Sequence, residues 1–272
     1  VDESNRRSVK EMNYKHVHVI YFSPTHTSAK IAHAIVEGMG AVSFSESDLT
    51  YEMPGSEEVV ERELTVVAVP VYGGRVADTA IERLKKFVGK DSPVVPVVVY
   101  GNRDYEDALL ELSDLLVQQG FTLLAAAAFV GEHSFSTSQY PVASGRPDQK
   151  DHDEAFLFGQ HVLEKLEACS SLESLSSLQI KGNRPYKEKK PSAPAAPLVD
   201  ASRCNLCGHC IGVCPVSAIS IVNDEMYSDP TRCIKCCACV KECPEEARTF
   251  PNPFAEYLYK NFSARKAPEM FL

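Results

Sequence analysis

Four stretches of the chain are apolar, β-rich runs: His16 to Phe22, Leu64 to Tyr72, Pro93 to Tyr100 and Phe121 to Val130. Between and after them come segments with helical spacing. Thr27 to Met39 places Ile31, Ala32, Ile35 and Val36 on one face. Ala77 to Val88 does the same with Ala80, Ile81, Leu84 and Phe87/Val88. Tyr105 to Gln119 is amphipathic and stops at Gly120, and Glu154 to Leu166 closes the series. The strands are continuous runs rather than alternating ones, as a parallel sheet covered on both faces requires. Alternating strand and helix predicts right-handed βαβ units and a doubly wound α/β sheet. A weak strand near Ala41 to Phe44 would make five, and residues 46–63 carry no clear periodicity.

Residues 181–198, KGNRPYKEKKPSAPAAPL, break the pattern with a Lys cluster and repeated Pro, the composition of an extended linker. The expected division is 14–180 for the α/β domain, 181–198 for the linker, 199–250 for a second small domain and 251–272 for a tail. In that tail Tyr257, Tyr259 and Phe262 are expected to anchor an otherwise loose terminus.

Composition narrows the classes. The chain has 272 residues, 44% hydrophobic and 24% charged, which is ordinary for a globular protein. A net charge of −9 leaves no basic footprint for nucleic acid. The apolar runs fall well short of the ~20 residues of a membrane-spanning helix. Residues 1–15 hold no apolar core of a secretory leader. Without one, clustered cysteines argue for metal rather than disulfides and for a reducing cytoplasm.

Eight of the ten cysteines crowd into residues 204–243. Cys204-x₂-Cys207-x₂-Cys210-x₃-Cys214-Pro215 is followed by Cys233-x₂-Cys236-x₂-Cys239-x₃-Cys243-Pro244. This is the bacterial iron–sulfur run, twice. Three thiolates of a run grip one cluster and the fourth ligates the other. One [4Fe–4S] cluster is therefore expected on Cys204, Cys207, Cys210 and Cys243, and a second on Cys233, Cys236, Cys239 and Cys214. The halves repeat: Asp200 matches Asp229, Arg203 matches Arg232, and Ala218 matches Ala247. Cys237 aligns with Gly208 and is not expected to ligate; Cys169 lies outside the repeat. Zinc modules need two CxxC knuckles and a long loop, not a third Cys three residues on and a fourth before Pro.

In a doubly wound sheet ligands sit beyond the carboxyl ends of the strands, at the switch point. Three loops stand there. Ser23-Pro24-Thr25-His26-Thr27-Ser28 puts hydroxyls and backbone N–H groups at a helix N-terminus, an anion cradle or simply a capping cluster. Neither GxGxxG nor GxxxxGK[ST] is present, so a terminal phosphate suits it better than a dinucleotide or ATP. Tyr72-Gly73-Gly74 and Tyr100-Gly101-Asn102-Arg103-Asp104-Tyr105 pair aromatics with glycines that permit close backbone approach.

SPTHTSAKIA resembles the phosphate loop of flavodoxins, S/T-x-T-G-N-T, with Ser23, Thr25 and Ser28 at its hydroxyl positions. His26 and Thr27 stand in place of the usual Gly-Asn. GNRDYE is similar to the flavodoxin loop whose Tyr stacks on the flavin. The resemblance implies a five-stranded flavodoxin-like domain binding FMN. The phosphate would lie on Ser23, Thr25, His26, Thr27 and Ser28. Tyr72 and Tyr105 would flank the ring, with Gly73, Gly74, Tyr100, Gly101, Asn102 and Arg103 around its edge. With VYGNRDYEDAL, GEHSFS and GRPD, the whole chain resembles flavodoxin–ferredoxin fusions of anaerobes, the EFR-type ferredoxins. That implies a small α+β bacterial ferredoxin domain after the sheet. The expected function is electron transfer between the clusters and FMN, and so between one- and two-electron redox partners. An FMN-dependent reductase of a quinone-like molecule ranks second. An iron–sulfur protein with an empty, structural α/β domain ranks third. Glu132 and His133 follow the fourth strand and could face the flavin or bind a substrate, with a structural hydrogen-bonding role ranked first for the His.

Overall fold

The computed structural model describes residues 16–41, 43–189 and 193–272. The expected domain start at residue 14, residue 42 of the weak strand and residues 190–192 of the linker lie outside the described residues. In chain order the first unit contains β1 (His16–Tyr21), α1 (Thr27–Gly38), β2 (Ser43–Asp48), β3 (Glu58–Glu61) and β4 (Leu64–Tyr72). It continues with β5 (Arg75–Val76), α2 (Asp78–Leu84), β6 (Phe87–Lys90), β7 (Pro93–Tyr100) and α3 (Ala108–Gln118). β8 (Thr122–Leu123), β9 (Ala126–Val130) and α4 (Gln149–Ala168) complete it.

The parallel strands run in the order β2-β1-β4-β7-β9. Counting these five along the chain, the order is 2-1-3-4-5, the flavodoxin-like doubly wound arrangement, with its switch point beside β1. The period of two along each strand divides the core. Val17, Val19, Val66, Ala68, Val95 and Val97 face α1 and α4. Ile20, Val67, Val69, Val94 and Val98 face α2 and α3. Continuous apolar runs follow because both faces are dry.

α1 and α4 cross at glycines. A methyl on Gly159 would sit 2.0 Å from the Ile35 carbonyl oxygen, and one on Gly38 1.9 Å from that of Phe156. α4 starts at Gln149, earlier than its apolar spacing indicated, because Asp148 and Asp151 form a reciprocal capping box.

The helix expected over 77–88 ends at Leu84. Phe87–Lys90 instead forms β6, parallel to β3 in the stretch without periodicity. Aromatic and β-branched residues favour the strand here, and Gly89 leaves room for the Phe121 ring.

The linker segment is strapped to α3. Asp107 accepts from the Asn183 and Lys187 backbone N–H groups at 2.8 and 2.7 Å. Asp114 pairs with Arg184, and Arg75 lies 4.8 Å from the Tyr186 ring centre.

The second unit contains β10 (Leu198–Val199), α5 (His209–Gly212), β11 (Ile219–Val222), β12 (Glu225–Ser228), α6 (Ala238–Lys241) and β13 (Arg248–Thr249). β10 pairs with β13 and β11 with β12, both antiparallel, giving a small α+β module. Residues 251–272 then form α7 (Phe254–Phe262) and β14 (Glu269–Phe271). β14 adds antiparallel to β9, so the chain ends as the edge strand of the first sheet. Among the described residues no helix is long and apolar enough to cross a membrane.

The crossing at Gly159 gives a direct test of this packing. Gly159→Ala should destabilise the α/β domain by about 1–3 kcal/mol, the usual cost of overpacking, read as a lower urea midpoint at unchanged slope. An unchanged midpoint would mean the two helices are free to separate.

Candidate functional site

The cysteines stand as two rings. Cys204, Cys207, Cys210 and Cys243 line one pocket. Cys214, Cys233, Cys236 and Cys239 line a second, with Cys237 also at its wall. Each ring takes three thiols from one run and the fourth from the other. All eight are free thiols. Among the described residues no three His, Cys, Asp or Glu side chains converge tightly enough for a single ion. The thiols surround a space rather than a point, which suits a polynuclear cluster.

The backbone explains the wrapping. Leu206 and Gly208 take positive φ of 58° and 77°, and Lys235 and Cys237 repeat this at 60° and 61°. Ser217 and Glu246 form a third matched pair, at 49° and 45°. These left-handed residues turn successive thiols inward and aim backbone N–H groups at sulfur. Ala218 N–H donates to Cys214 Sγ at 3.2 Å and Ala247 N–H to Cys243 Sγ at 3.3 Å. Cys237 is buried at the position its counterpart fills with glycine. Burial pushes the Cys236 thiol up to about 12 and that of Cys239 up to about 11. Such thiols ionise only with a compensating cation, as metal binding provides.

The two rings differ in access. Cys207 of the first is exposed. Cys236 and Cys239 of the second are buried, and that end of the module packs on the carboxyl ends of the parallel strands. Tyr72, at the end of β4, and Ile234 pack against both the α2/α3 face of the sheet and the core of the cluster module. Burial, then the neighbouring Cys236, Cys237 and Cys233 thiols, raise the Tyr72 phenol well above its ordinary value.

Arg83 ties the units together. It is 8% exposed. Its Nη1 donates to the Leu49 and Thr50 carbonyls at 2.7 and 2.6 Å, and its Nη2 to the Pro215 carbonyl at 2.7 Å. Pro215 follows the ligand candidate Cys214. Thr50 Oγ1 in turn accepts from Ser23 N–H at 2.9 Å. His26 Nε2 lies 3.2 Å from Glu242 Oε1, and Lys241 pairs with Glu132, across the same junction.

The loop after β1 has the form of an anion cradle. His26 adopts φ 62°, the left-handed conformation for which glycine is the usual residue. Ser23 Oγ accepts from Ala29 N–H at 3.1 Å. Thr27 and Ser28 open α1, where backbone N–H groups lack intrahelical partners. Ser28 Oγ is buried without a hydrogen-bond partner. An orphaned buried hydroxyl beside a helix N-terminus fits a bound phosphate oxygen.

The loops expected around a ring are arranged differently. Gly73 and Gly74 take φ of 65° and 84°, and the Gly74 carbonyl accepts from Asp107 N–H. Tyr105, expected to flank a ring, is 0% exposed. Its hydroxyl donates to Glu269 Oε2 at 2.7 Å and Lys181 Nζ lies 4.6 Å from the ring centre. Asn102 uses only its amide nitrogen, and its Oδ1 is buried with no partner among the described residues. Its Nδ2 donates to the Phe262 and Ala264 carbonyls at 2.5 and 2.8 Å. Arg103 pairs with Glu106 at 2.6 Å, and Tyr100 is buried 5.5 Å from Tyr105 between ring centres. His133 lies over Gly101, where a methyl would meet its ring at 2.3 Å. Burial, then Lys241 and Arg103, lower the His133 imidazole to about 4, and its Nδ1 accepts from Phe135 N–H. It is therefore neutral, with the proton on Nε2.

Of the expected residues, the cradle and Tyr72 lie beneath the cluster module, whereas Asn102 and Tyr105 hold the C-terminal segment. Arg83, Glu242 and Lys241 escaped sequence reasoning. Arg83 follows Ala80 by three residues on the buried helix face, a signal that was available.

Residues 196–247 match the family described as 4Fe-4S dicluster domain. A search of curated proteins finds no match. The α/β part is similar to an archaeal flavodoxin at 16% identity, covering 56% of this chain and 99% of that one, TM-score 0.37. It is also similar to a Streptococcus pneumonia flavodoxin at 14%, covering 56% and 98%, TM-score 0.38. An NADH:FMN oxidoreductase in its apo form matches at 15%, covering 60% and 90%, TM-score 0.38. The fold assignment stands on the strand order. The chain joins an α/β domain with the flavodoxin-like strand order to a region matched by the 4Fe-4S dicluster domain.

Cys236→Ser should remove about half the bound iron after anaerobic reconstitution, if each ring holds one cluster. Cys237→Gly, which restores the repeat, should leave iron per chain unchanged. Loss of iron in Cys237→Gly would make Cys237 a ligand.

Proposed function

We propose that the protein relays electrons between two [4Fe–4S] clusters and an FMN held at the switch point of the α/β domain. A cluster exchanges one electron at a time, whereas a flavin exchanges one or two. The observation that carries this reading is the position of the second cysteine ring. It lies against Tyr72 and is joined through Pro215, Arg83 and Thr50 to the Ser23 loop.

Each group of residues has a distinct task. The eight cysteines hold the clusters, and the backbone N–H groups at Cys214 and Cys243 stabilise negative charge on sulfur. Ser23, Thr25, Thr27, Ser28 and the first turn of α1 hold the phosphate. Exposed Cys207 marks the first ring as the side open to a redox protein. Tyr72, Ile234 and Cys237 exclude water between the second ring and the sheet. Neutral His133 covers Gly101 without adding charge.

Reconstitution gives the test. About eight irons and one FMN per chain are expected. Ser28→Ala should weaken FMN binding tenfold or more, the ~1.5–3 kcal/mol of a hydrogen bond to a charged group. It should leave riboflavin, which lacks the phosphate, unaffected. Eight irons without flavin binding would reduce the α/β domain to a structural support. Equal loss of FMN and riboflavin would move the phosphate away from Ser28.

A further inference from the structure

The two halves of the cluster module repeat with an offset of 29 residues, and at one buried position they disagree. Ile219 follows Ala218 in the first half; Arg248 follows Ala247 in the second. Both are buried, Ile219 at 6% and Arg248 at 4% exposure. An apolar side chain has been replaced by a permanently charged one within the core of the module.

Among the described residues that guanidinium meets a thiol and a hydroxyl. Nη1 donates to Cys210 Sγ at 3.4 Å and Nη2 to Ser228 Oγ, while Nε is buried without a partner. Among the described residues no Asp or Glu pairs with it. A buried, uncompensated cation costs several kcal/mol or more. The fold tolerates such a group where a non-protein anion accompanies it. Arg248 lines the first cysteine ring. β13, which carries it, packs on α6, which carries Cys239 of the second ring. The same guanidinium reaches the Cys239 thiol of the second ring as well as Cys210 of the first.

We infer that Arg248 is a shared electrostatic control for both clusters: its buried charge lies between the two cysteine rings and raises the reduction potential of each. This rests on the two-cluster reading. Each cluster with its thiolates is a net anion and gains a further negative charge on reduction. A fixed cation favours the reduced form more than the oxidised one, and low dielectric strengthens the effect. Placement between the rings makes it act on both, whereas Ile219 at the repeat position acts on neither. Arg248 does not exchange electrons; it is a positioning charge.

The test compares full-length wild type with Arg248→Met, which keeps length without charge, and Arg248→Lys, which keeps charge. Iron per chain is measured first, then both potentials by EPR-monitored redox titration. Arg248→Met should retain about eight irons. It should shift both midpoints negative by at least tenfold in the reduced-to-oxidised ratio, ~59 mV for one electron. Arg248→Lys should recover most of that shift. Unchanged midpoints in Arg248→Met at full iron content would overturn the inference. So would a shift that Arg248→Lys does not recover, since the cause would then be packing. If Arg248→Met does not fold, Arg248→Lys and Arg248→Gln decide by the same comparison. About four irons in the wild type itself would instead remove the second cluster and the premise with it.

Discussion

The arrangement depends on one buried cation, Arg83, spanning two units. Its guanidinium satisfies two carbonyls beside the β1 loop and a third next to Cys214. A buried guanidinium is costly unless its donors are used, so the three acceptors must arrive together. That requirement fixes the second cysteine ring over the carboxyl ends of the strands. The His26–Glu242 contact and the Lys241–Glu132 ion pair lie around the same junction and are partly open to solvent. They align the surfaces more than they bind them, as exposed pairs do.

The C-terminal segment imposes a second constraint. By pairing β14 with β9 it covers the outer side of Ala126–Ala128 and becomes the edge strand itself. It also takes the Nδ2 group of Asn102 and the hydroxyl of Tyr105 as hydrogen-bond donors. The linker is held by Asp107 and Asp114, so the chain leaves and re-enters the α/β domain at anchored points. Both connections limit how far the cluster module can move from the switch point.

The legible features were those encoded locally. The apolar runs of β1, β4, β7 and β9 reported a sheet buried on both faces. The cysteine spacing groups three thiols of one run with the fourth of the other, and the same groups line the two pockets. The obscure features were those decided by distant partners. β2, SFSESD, is an edge strand with mostly exposed side chains and has little apolar signal. Phe87 and Val88 fit a helix face until β3 is there to pair with them. The hydrogen bond from the Tyr105 hydroxyl to Glu269, far along the chain, has no local signal either. Arg248 was visible only as a break in the repeat, and its meaning needed burial and the absence of a carboxylate partner among the described residues.

The central claim is that clusters and flavin work across one docked junction. The most direct measurement is the rate at which flavin absorbance changes after flash reduction of the clusters, taken over a wide range of protein concentration. A first-order rate independent of concentration is predicted, because transfer within one chain needs no encounter. A rate rising in proportion to concentration would show exchange between separate molecules and contradict the docked arrangement.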